Sequence, residues 1–167
     1  MESNSFDRNQ ESNATNAQSY PLKWHKFLIY FGLWVGALYG GLYSAWRLFS
    51  GTIYGYSGEA ASVYAVFPDM KTVDCVFGVL YLLYAAFAIY TRFQLAGFRA
   101  EAPGKLTIMY VFSLALQLIY MGVTSFVSGI GITELFGSNV AASLIGAMVG
   151  IVINRAYYSK REALFVN

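Results

Sequence analysis

The chain has 167 residues and a mass of 18.5 kDa, which allows one compact domain, but 57% of its residues are apolar and only 12% charged. That is about half the charged share usual for soluble domains. A net charge of +2 argues against a nucleic-acid-binding face, and a single cysteine excludes an internal disulfide framework or a CxxC site.

Residues 1–20 are polar, rich in Ser, Asn and Gln, and carry Glu2, Asp7 and Glu11. They predict a disordered cytoplasmic tail rather than a signal peptide, since they have no apolar stretch and no basic start. Asn13-Ala14-Thr15 matches a glycosylation sequon, which a cytoplasmic tail would leave unused. Pro21 suits the first turn of a helix.

Four runs free of Asp, Glu, Lys and Arg follow: Phe27 to Trp46, Cys75 to Thr91, Leu106 to Thr133 and Leu135 to Asn154. A helix rises about 1.5 Å per residue, so roughly twenty residues cross a hydrocarbon core about 30 Å thick. The third run is too long for one crossing, and Ser128-Gly129-Ile130-Gly131 supplies its break near Val127. Residues 21–159 therefore read as an all-α, four-helix transmembrane bundle with spans at approximately 25–48, 70–93, 106–127 and 136–156. Residues 160–167 form a short cytoplasmic tail. Pro68-Asp69 marks the start of the second span, and Ser138, Asn139 or Thr133 would cap the fourth.

Nine of the eleven Lys and Arg residues fall in the two tails and the middle loop. By the positive-inside rule both termini face the cytoplasm, an N-in/C-in topology. Trp24 and Trp46 are spaced to sit one at each interface, roughly 33 Å apart in an α-helix, with Tyr157 and Tyr158 in the inner belt. His25 reads as an interfacial anchor and Cys75 as a small packing residue.

The first outer loop, Arg47 to Lys71, is long for a connector. Ser57-Gly58-Glu59 resembles a helix start, with Ala60, Val63, Tyr64 and Phe67 at helical spacing after it. A short amphipathic interfacial helix is expected there.

Gly32, Gly36 and Gly40 in the first span, and Ala142, Gly146 and Gly150 in the fourth, make strips of small residues four apart. Such strips let helix backbones approach closely, so these are candidate helix-packing residues. The second span presents Asp74, Gly78, Tyr81, Ala85, Ala88 and Arg92 on one face. The third presents Ser113, Gln117, Tyr120 and Thr124. Polar groups in lipid turn toward other helices or a wet cavity. Asp74, Tyr81, Gln117 and Tyr120 thus form a candidate polar pocket, or else ordinary interhelical glue worth roughly 0.6 kcal/mol per bond. Arg47, Asp74 and Glu134, at the outer ends of spans, form a candidate outer ion-pair cluster.

Lys23-Trp24-His25-Lys26-Phe27-Leu28-Ile29-Tyr30-Phe31 and the ending Tyr157-Tyr158-Ser159-Lys160-Arg161-Glu162-Ala163-Leu164-Phe165-Val166-Asn167 resemble small bacterial multi-span integral membrane proteins of no assigned function. The resemblance implies a bacterial inner-membrane setting and carries no chemistry. No catalytic residue, metal ligand or cofactor is expected. The expected partners are the lipid bilayer and either a second copy or another membrane protein. A non-enzymatic structural or accessory subunit is the leading functional reading, and a small transporter using the polar faces of spans two and three is the alternative.

Overall fold

A computed structural model describes residues 22–55, 59–137 and 140–165, all helix, turn or connector with no strand among them. The N-terminal tail, Pro21, the proposed caps Ser57, Ser138 and Asn139, and the last two residues lie outside that set. Helix α1 is Lys23–Ser50. Next come a 3-10 turn, Thr52–Tyr54, and helix α2, Glu59–Val66. Helices α3, Asp69–Ala96, and α4, Ala102–Ser128, follow. A short α5, Ile132–Phe136, leads to α6, Val140–Ser159, and a closing turn at Glu162–Leu164.

Helices α1, α3 and α4 are long and apolar enough to cross a membrane. Their outward faces fit that solvent: Tyr30, Phe31, Leu38, Leu83, Ile108 and Ile119 are all exposed, far more contiguous apolar surface than a soluble monomer leaves uncovered. The helix ends follow from local chemistry. Asp69 lies in the first turn of α3, where an acid complements the positive end of the dipole. Helix α4 carries Pro103 in its first turn and stops at Gly129, whose left-handed φ of 69° donates its N–H to Ser125 O.

Long helices pair antiparallel. From one end of the α1–α3 seam to the other, Phe49 meets Gly78, Gly41 meets Ala85, and Arg92 Nε–H donates to Ile29 O at 3.4 Å. The tightest approach is at Gly41, where an added Cβ would lie 2.6 Å from Ala85 Cβ. The strip expected at Gly32, Gly36 and Gly40 meets α3 in part, and the tightest contact falls one residue on, at Gly41. Gly36 and Gly40 face the Tyr84 side chain at ordinary contact distance, and Gly32 meets only atoms of its own helix. The backbone of α1 takes wider i→i+5 turns at Leu28–Gly32 and Gly36–Tyr43. That rotates the faces away from a strict four-residue repeat and draws Trp24 and Trp46 closer than α geometry gives. In α6 a Cβ at Gly146 or Gly150 would meet nothing within 4 Å. The Cβ directions of these two glycines point into open space among the described residues, and the side chain of Ala142 lies outside that set.

Helix α6 packs against α4, and its end returns to the start of α1. Trp24 Nε1–H donates to Asn154 Oδ1 at 3.0 Å, and His25 is hydrogen-bonded to the Tyr158 hydroxyl through Nδ1 at 3.0 Å. His25 is not the interfacial anchor expected: it is 2% exposed, ringed by Phe98, Tyr158 and Phe165. The turn after α6 folds Phe165 back over it, which the sequence pattern did not signal. Cys75, expected to pack, is exposed.

Candidate functional site

Asp74 is the sixth residue of α3 and is completely buried. Three tyrosine hydroxyls from three other elements donate to its carboxyl group. Tyr54, from the 3-10 turn, and Tyr64, from α2, donate to Oδ2 at 2.8 and 2.9 Å. Tyr120, from α4, donates to Oδ1 at 3.0 Å. Burial, above all, holds the Tyr54 and Tyr64 hydroxyls well above the ordinary phenol range. Both keep their protons and remain donors.

The arrangement is built locally. Gly51 ends α1 in the left-handed region at φ 73°, and a Cβ there would lie 2.5 Å from Ala60 Cβ. Only a glycine both makes that turn and lets α2 fold this close over the end of α1. Gly78, one turn beyond Asp74, leaves room for the Phe49 ring. The donor rings are held edge-on: Tyr54 against Tyr64, and Tyr120 against both Phe77 and Phe136.

Of the expected polar pocket, the structure brings Asp74 and Tyr120 together. Tyr81 is half-buried on α3 and is not among the donors to Asp74, and Gln117 is half-buried on α4. Ser113, on the same α4 stripe, is half-buried. The expected outer ion-pair cluster is not formed. Among the described residues, the ion pair present joins Lys105 to Glu101 at 2.9 Å. Arg47 Nη2 donates to Ile53 O at 3.4 Å, its guanidinium lies 6.0 Å from the Tyr43 ring, and Glu134 is exposed on α5. Hydroxyl donors replace the cation because stripping water from a guanidinium and a carboxylate together costs more than from a carboxyl and three phenols.

Tyr54 also lines a cavity of about 670 Å³, with Tyr43, Trp46, Arg47, Thr52, Ile53 and Gly55. A second cavity, of about 280 Å³, lies at the opposite end of the helices, between Pro103, Gly104, Thr107, Arg155, Tyr158, Ser159 and Glu162. Neither has Asp74, Tyr120 or Gln117 in its lining.

Sequence reasoning found Asp74 and Tyr120 but did not connect Tyr54 or Tyr64 to them. The available signal was a demand: an acid at the end of an apolar helix needs donors, and the adjoining loop is rich in tyrosine. No family model, curated protein or solved structure matches this chain.

Proposed function

We propose that this is a non-enzymatic membrane protein that crosses a bacterial inner membrane four times, with both termini cytoplasmic, and acts by association as a structural or accessory subunit. The observation that carries the reading is the use made of Asp74. Acids buried in membrane helices default to functional sites, yet both oxygens of this one are occupied by tyrosines from three elements. Bonded in that way, the carboxyl group is a latch that fastens the Thr52–Tyr54 turn and α2 onto the ends of α3 and α4. The basic residues favour an even number of crossings, and contacts between the start of α1 and the end of α6 support it. Helix α6 then serves as the fourth span, with α2 lying along the outer interface.

Cross-linking in intact membranes, followed by purification in mild detergent, tests the association. An assembly of fixed stoichiometry is expected, with a second copy or another membrane protein, and Gly146→Leu weakens it if the open face of α6 takes part. A monodisperse monomer under all cross-linking conditions contradicts the reading.

One observation favours a second reading, a small transporter. Tyr54 both lines the 670 Å³ cavity and donates to Asp74, so a swing of that ring would connect the two. Under this reading, liposome flux of a small solute or ion falls in Asp74→Asn or Gln117→Ala. Flux equal to that of the unmodified protein in both variants counts against it.

A further inference from the structure

The 670 Å³ cavity has a composition that the latch does not use. Arg47 is half-buried in its wall, in the last turn of α1. Among the described residues Arg47 has no carboxylate partner, and its one hydrogen bond, to Ile53 O, is long at 3.4 Å. A guanidinium has five N–H donors in a planar fork, and four of these have no hydrogen-bond partner among the described residues. Tyr43, Trp46 and Tyr54 supply aromatic surface around it, and Thr52 a hydroxyl. Trp46 and Tyr43 are exposed and stacked on one another along the outer surface of α1, at the end of a membrane-spanning helix. Aromatic side chains of this kind settle at headgroup depth.

We propose that this cavity binds a phosphate diester, the headgroup phosphate of an anionic lipid, with Arg47 gripping the phosphate oxygens and the Tyr43–Trp46 stack lying along the glycerol and upper acyl chain. Three features carry the assignment. The fork of Arg47 matches the oxygens of a phosphate bidentately. The cavity opens beside lipid-facing aromatics, so an amphiphile enters it with its chains still in the bilayer. Finally, the Glu59 carboxyl group lies against Gly55, one of the lining residues. Like-charge repulsion from a carboxylate there disfavours a dianionic phosphomonoester more than a singly charged diester.

Native mass spectrometry of the full chain tests this, with phosphatidylglycerol as the probe, a phosphate-free diglucosyl lipid as its control, and inorganic phosphate as competitor. The unmodified protein should retain one phosphatidylglycerol through collisional activation that strips the glycolipid. Arg47→Gln should retain about tenfold less, and Arg47→Lys should fall between them, since an ammonium keeps the charge but loses the fork. Thr52→Trp fills the cavity while leaving Arg47 in place, and it too should lose the bound lipid. That variant carries the test if Arg47→Gln does not fold. Displacement of the lipid by equimolar inorganic phosphate would assign the site to the free ion and overturn the diester. Retention of phosphatidylglycerol by a folded Arg47→Gln or by Thr52→Trp, or equal retention of the glycolipid, overturns the proposal.

Discussion

At one end of the helices a single carboxyl group gathers three hydroxyls; at the other, aromatic rings enclose a histidine. Both clusters do the same mechanical work. The first joins the Thr52–Tyr54 turn and α2 to α3 and α4 through Tyr54, Tyr64, Asp74 and Tyr120. The second joins the start of α1 to the 97–100 connector and the chain's last turn through His25, Phe98, Tyr158 and Phe165. They differ in how they hold. The Asp74 cluster is directional: each bond fixes a ring's position, and a lost acceptor leaves the buried Tyr120 hydroxyl and two half-buried ones without it. The His25 cluster has one such bond, between Nδ1 and the Tyr158 hydroxyl, and is otherwise held by area, with ring centroids 4.9 to 5.9 Å apart and His25 Nε2 buried with no hydrogen-bond partner among the described residues. Directional clusters fail abruptly when one atom is removed; area-based ones lose strength by degrees.

Asp74→Ala should produce the largest effect. Bonds to a carboxyl group contribute about 1–3 kcal/mol each and are not fully additive, so a loss of at least about 3 kcal/mol is expected in reversible detergent unfolding. Hydrogen exchange localises the damage: amides of Glu59–Val66 should exchange faster, while those near Leu95 stay protected. Uniform loss of protection along α3 would break the comparison, because the carboxyl group would then hold the whole bundle and not one loop.

Phe165→Ala should cost less, about 2–3 kcal/mol, at or below the lower edge for a buried phenylalanine because the chain's end can recollapse over His25. The shift in unfolding midpoint should leave exchange in Glu59–Val66 unaltered. A cost equal to that of Asp74→Ala would mean that area holds as firmly as direction here.

A paired substitution along the helices gives the smallest effects and sharpens the contrast between the seams. Gly41→Ala places a methyl 2.6 Å from Ala85 Cβ and should destabilise by about 1–3 kcal/mol through overpacking. Gly146→Ala meets nothing within 4 Å and should be neutral or stabilising by up to about 1 kcal/mol, from helix propensity alone. Equal costs would place a partner against Gly146 in the purified protein.

The long helices were legible because lipid imposes a simple demand: a charge-free run of given length, broken at Gly129 and restarted at Asp69. Those signals are local, and α1, α3 and α4 follow them. Asp74 was legible as the acid that shares a helix face with Gly78 and Tyr81. Its partners were not, because Tyr54 and Tyr64 reach it from a loop whose fold depends on the left-handed turn at Gly51 and on Ala60 packing there. Charge complementarity pointed to Arg47 instead, and desolvation overrides that pairing in a buried site. The first span's glycine strip does face α3 at Gly36 and Gly40, but its tightest contact lies one residue off the expected repeat. A four-residue repeat assumes α geometry, but the wider turns of α1 move the close contact from Gly40 to Gly41. For His25 no pattern in the sequence indicated that the chain's end would fold back to cover it.

The central claim is that α6 crosses the membrane with α1, α3 and α4, which returns the chain's end to the side where it began. Compartment-sensitive reporters on the N- and C-termini of the full chain, read in intact cells, test it directly. The account expects both reporters in the cytoplasm; reporters in opposite compartments would mean three crossings and contradict it.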